Sequence, residues 1–162
     1  MNVQRIAALP DSSLDTLLKR YSMQLSQIPL DQPIPGSHWG DSEAGLIGAT
    51  LYVRPDTPLH SALHETCHYI CMDQQRRVQL HTDAGGGYDE ENAVCFLQIL
   101  LADYITGSSR QRMMQDMDSW GYSFRLGSAK AWFENDAADA RQWLLDKNIL
   151  NRDNSPTWMT NL

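Results

Sequence analysis

His64-Glu65-Thr66-Cys67-His68 lies inside a run from about Leu59 to Asp73 that reads as one helix. Asp56-Thr57-Pro58 offers a polar cap and a proline for the first turn, and apolar residues then recur at helical spacing. On a helix, residues four apart project from the same side one turn apart, so His64 and His68 can share a metal ion. Glu65 is rotated from His64 by about 100°. Its carboxylate can then reach a water at the metal without displacing a histidine. Between Ser61 and Ile70, with histidines neutral, Glu65 is the only formally charged residue, and Leu59, Leu63, Cys67 and Ile70 make an apolar flank on the opposite side. Such a helix suits the floor of a cleft.

Working outward, Leu46 to Val53 is rich in strand formers and stops at Arg54-Pro55, where proline forbids a central ladder. It is expected to be one strand. Ile28 to Gly48 carries three prolines and four glycines and reads as loop and edge structure. Before it, Leu14, Leu17, Leu18, Tyr21 and Leu25 repeat at helical spacing behind Asp11-Ser12-Ser13, which predicts a packing helix from Asp11 to about Gln27. On the C-terminal side, His81 to Gly87 ends in three glycines and reads as a loosely constrained loop. Helices are expected over Glu90 to about Ile105, Arg110 to Trp120, and Ser128 to Lys147.

Zinc in a catalytic site takes three protein ligands and keeps a position for water. The metzincin continuation fails, because it needs glycine at position 71 and histidine at 74, where this chain has Cys71 and Gln74. The next candidate is a carboxylate at the start of the following helix. A helical wheel over Asp89 to Ile105 puts Ala93, Phe96, Leu97, Leu100 and Tyr104 on a buried face with Glu90 at its edge, while Glu91 falls further out beside Gln98. Glu90 is therefore the expected third ligand. Glu91 is expected to be solvated, complementing the helix dipole. Asp83 is the runner-up ligand, and His81 and Tyr88 in the same loop are candidate oxyanion donors.

With Glu90-Glu91-Asn92-Ala93-Val94-Cys95-Phe96 following it after a loop, the His64 to His68 motif resembles the ImmA/IrrE-type zinc metallopeptidases and, more broadly, the gluzincins. The resemblance covers about residues 46 to 105. It implies a zincin-like domain, Glu90 as third ligand from a Glu-x-x-Ala-x-x-Phe helix, and a strand over Leu46 to Val53 that flanks the cleft and pairs with an extended peptide. This chain departs from that pattern at Cys67, where the family has glycine, and after Leu100-Leu101, where it has proline.

Composition narrows the classes. A chain of 162 residues suits one domain spanning 1–162, and 42% hydrophobic with 20% charged residues excludes disorder. A net charge of −7 argues against nucleic acid as partner. No apolar run approaches the roughly 20 residues of a membrane span, and the first thirty residues lack a signal-peptide pattern. Cys67, Cys71 and Cys95 are odd in number, two of them on one helix, which points to a reducing compartment, most simply a cytoplasm.

Other residues take plainer readings. His60 is expected in a polar pocket, Cys71 and Tyr104 in the core, and the aromatic set from Trp120 to Trp143 as core filling, with Tyr122 and Arg125 as candidate borders of the cleft. The expected fold is α+β: a short N-terminal twisted sheet, a helix carrying the motif beneath it, and a helical C-terminal half. The expected activity is peptide-bond hydrolysis, with His64, His68 and Glu90 on zinc and Glu65 as general base. The competing expectation is a non-enzymatic module that zinc stabilises.

Overall fold

The computed structural model describes residues 2–38 and 40–162. Its architecture is α+β, with a three-stranded mixed sheet and seven α-helices among the described residues. The first helix, α1 (Ser13–Lys19), is shorter than its periodicity suggests, because Ser22 adopts a left-handed conformation (φ 58°) and the chain reverses. Leu25, which fits the helical spacing, instead belongs to strand β1 (Gln24–Gln27). The expected single strand over 46–53 is a hairpin. Gly48 (φ 56°) turns the chain between β2 (Gly45–Ile47) and β3 (Thr50–Val53), a backbone state that glycine adopts without a Cβ penalty.

β3 is central. It pairs parallel with β1, Leu25 opposite Leu51, and antiparallel with β2, Leu46 opposite Leu51. Beneath the sheet runs α2 (Leu59–Cys71), which carries the motif. Its start is pinned by the N-terminal segment, through Leu59 N–H donating to the Gln4 carbonyl, and Ser61 Oγ accepts from Ala44 N–H just before β2. A single turn, α3 (Gln74–Arg77), follows; Asp73 Oδ1 caps it by accepting from Arg76 N–H.

α4 (Tyr88–Ala102) is the central helix, packed against α2 on one side and against α5 (Arg110–Trp120) and α7 (Ala138–Asp146) on others. Ala93, Val94, Phe96, Leu97, Ile99, Leu100, Leu101 and Ala102 are all buried, so α4 is apolar nearly all round after its first two turns. It ends at Ala102, three residues earlier than expected. Tyr104 consequently lies beyond the helix, 42% exposed and edge-on to Trp158, rather than in the core. The predicted helix over 128–147 is two, α6 (Ala129–Asn135) and α7, broken at Asp136-Ala137. Asp136 takes both guanidinium bonds of Arg125, which faces solvent and not the cleft.

One hydrophobic cluster runs from Leu14 through the sheet, α2 and α4 to Leu150. Cys67 and Cys71 are fully buried in it, as packing residues, and all three cysteines are free. Trp132 is buried, and Phe133 stacks on Phe96, which places much of the aromatic set in or against that core. No helix among the described residues is long and apolar enough to cross a membrane.

Candidate metal centre

α2 presents His64 and His68 one turn apart, with ring centroids 4.8 Å apart. The carboxylate that meets them is Glu91. Its Oε1 lies 3.1 Å from Nε2 of His64 and 3.1 Å from Nε2 of His68, and the three ligand atoms fall within 4.8 Å of one another. The expected third ligand, Glu90, is turned away. Its two oxygens accept from Arg76 Nη1 at 2.8 Å and Nη2 at 2.9 Å, and it is buried in that pair. The wheel fails here for a physical reason: α4 is buried on most sides, so its apolar positions do not reveal which side faces α2.

Glu91 is not the solvated acid its place on the wheel suggests. Its side chain is 45% exposed, yet burial, which would raise its pKa, is outweighed by hydrogen bonds to the two histidines, which hold the carboxyl down at about 2. His64 moves the other way: burial opposes its protonation, but the surrounding Tyr122, Cys95 and Glu91 groups push it well above the usual imidazole range, and the Glu91 carboxylate is the cause of physical weight at neutral pH. Burial pushes Glu65 up, partly offset by the two histidines.

Glu65, His64, His68 and Glu91 share a cavity of about 190 Å³ with His38 and the Thr82 to Gly85 loop. Asp83 lines this cavity, but its Oδ1 accepts from Gly85 N–H at 2.9 Å, and it is Glu91, not Asp83, that groups with His64 and His68. The loop is tied down rather than loose: Arg76 Nη2 donates to the Ala84 carbonyl at 2.7 Å, and Thr82 N–H donates to the Leu46 carbonyl. His81 is exposed and bonded to Thr82, and Tyr88 is 77% exposed, so neither points at the motif.

The sheet edge beside the cleft is already paired. Leu46 N–H donates to the Gly36 carbonyl at 3.2 Å and Leu46 O accepts from Thr82 at 2.9 Å, with further bridges from Ser37 to Gly45 and from Ile47 to His81. An extended peptide has no free strand to join at β2, contrary to what the resemblance implies.

Three residues escaped sequence reasoning. His38 lies in a loop that carries no periodic signal. Cys95, one turn after Glu91, sits beside His64. Gln98 is completely buried, with Oε1 2.9 Å from His64 Nδ1 and Nε2 2.9 Å from the His60 carbonyl. Its signal was present: Gln98 stands seven residues after Glu91, on the same side of α4, as the lone amide in an apolar run. His60 is buried among Trp120 and Tyr122, its Nδ1 3.2 Å from the Tyr122 hydroxyl, and burial holds its pKa down at about 3.

Compared with known protein families, with curated proteins and with solved structures, the chain matches none.

Proposed function

We propose that the chain is a zinc-dependent hydrolase of peptide bonds, with His64, His68 and Glu91 holding the metal and Glu65 as general base. One observation carries this reading: two imidazole nitrogens and a carboxylate oxygen from two different helices converge within 4.8 Å beside a buried acid in a cavity. Two nitrogens and one oxygen form a donor set that zinc accepts in hydrolytic sites. When bound there, zinc supplies Lewis acidity toward a carbonyl and lowers the acidity constant of water.

The protein's own part is then assigned residue by residue. Glu65 takes a proton from the attacking water at its carboxylate and returns it to the leaving amine. Arg76 keeps Glu90 out of the metal set and anchors the 82–85 loop at the cavity wall. Because the β2 edge is occupied, substrate enters the cavity lined by His38 and this loop and does not add as a strand. The occupied edge also favours a second reading, a zinc-stabilised interaction module without turnover. A peptide or protein partner, an acidic surface unsuited to nucleic acid, and a reducing, cytoplasmic setting complete the proposal.

Elemental analysis of chelator-free protein tests the metal. About one zinc per chain in the parent, lost in Glu91→Ala and kept in Glu90→Ala, is the expected result. No metal in the parent after zinc has been offered and the excess removed refutes both readings. Turnover on a mixed peptide library, abolished by Glu65→Gln with zinc retained, separates the hydrolase from the module.

A further inference from the structure

We propose that Gln98 is a positioning residue that fixes which nitrogen of His64 is free to bind a cation. Its consequence for metal affinity rests on the zinc reading above; the proton assignment rests on geometry alone. A carboxamide fits its density of contacts either way round, and its partners decide the orientation. Gln98 Nε2 lies 2.9 Å from the His60 carbonyl oxygen, which can only accept, so the NH₂ group faces His60. A second hydrogen of the same group has Met113 Sδ at 3.6 Å. Oε1 therefore faces His64 Nδ1 at 2.9 Å, and an oxygen without hydrogen requires a proton on that nitrogen.

With Nδ1 protonated, the lone pair of a neutral His64 ring is on Nε2, and Nε2 is the atom 3.1 Å from Glu91 Oε1. Two acceptors then face each other across a distance that is favourable only with a proton or a metal ion between them. The chain of control begins at a backbone carbonyl one turn earlier on the same helix, passes through a completely buried amide on α4, and ends at the ligand atom. His68 has no such device: among the described residues its Nδ1 is buried with no hydrogen-bond partner.

The test uses the full chain, stripped of metal and labelled with nitrogen-15. In the parent, His64 Nδ1–H gives a slowly exchanging imidazole proton signal, assigned by its disappearance in His64→Gln. Gln98→Met keeps the volume and removes the acceptor; it is expected to lose that signal and to bind zinc about 10- to 100-fold more weakly in competition with a chelating dye. Gln98→Glu keeps an acceptor and is expected to retain the signal and the affinity. Persistence of the signal in Gln98→Met, zinc binding there within about twofold of the parent, or loss of the signal in a folded Gln98→Glu overturns the proposal. A parent that binds no zinc refutes the metal reading instead, and the proton signal alone then decides the role of Gln98.

Discussion

Arg76 holds Glu90 with both terminal guanidinium nitrogens, at 2.8 and 2.9 Å, and this pair settles which of two adjacent acids faces the histidines. Successive helical residues are about 100° apart, so α4 cannot present Glu90 and Glu91 to α2 together. With Glu90 committed to α3, Glu91 is the acid that turns toward His64 and His68.

Glu90→Gln and Glu91→Gln should therefore separate stability from metal binding. Glu90→Gln leaves a partly buried guanidinium with a weaker partner and is expected to cost about 1–3 kcal/mol in urea unfolding while zinc content stays near that of the parent. Glu91→Gln is expected to lose most of the zinc with a smaller change in the metal-free unfolding midpoint. The opposite pattern returns Glu90 to the ligand set.

Glu65→Gln removes the proposed base and leaves His64, His68 and Glu91 intact. Zinc content is expected to be unchanged and the rate of peptide hydrolysis to fall by about 10² to 10⁴. Cleavage by this variant at the parent rate rules out Glu65 as general base.

Gly86 has φ 108°, and a Cβ there would lie 2.4 Å from Glu90 Oε2. Gly86→Ala should combine backbone strain with displacement of Glu90 from Arg76, a cost of about 1–3 kcal/mol readable in a thermal melt. An alanine variant as stable as the parent would mean that the loop relaxes without disturbing the ion pair.

Burial holds the pKa of His60 down at about 3 from an ordinary 6.5, so the folded protein binds fewer protons than the unfolded chain between those values. The stability that neutral His60 confers is fully present above pH 6.5 and is lost as pH falls toward 3, with a slope of at most about 1.4 kcal/mol per pH unit. Urea midpoints of metal-free protein across that window should fall, and His60→Gln should flatten the fall. A parallel pH dependence in both proteins would show that other groups govern acid unfolding.

Elements defined by local chemistry were legible from residues alone. α5 runs from Arg110 to Trp120 as predicted, because Ser109 caps its start and Gly121 closes its end in the left-handed conformation. α2 likewise follows from its proline entry and its 3.6-residue pattern. β1 was not legible: Tyr21 and Leu25 are spaced for a helix, and only pairing with β3, some twenty-five residues away, selects the strand. Gly48 was visible as a turn residue, but whether it ends a loop or reverses a hairpin depends on what β2 and β3 pair with.

By itself, then, the sequence determined the α+β class and the juxtaposition of His64, Glu65 and His68, because i and i+4 geometry is a property of any helix and needs no partner. Only the tertiary structure decided that Glu91 and not Glu90 meets them, that Gln98 stands behind His64, and that the edge of β2 is closed by residues 36–37 and 80–82. The first two outcomes depend on the rotation of α4 about its axis, and the third on loops distant in sequence from β2. That rotation is set by packing on several sides at once and by the Arg76–Glu90 pair, a balance of distant contacts that no local pattern of residues records.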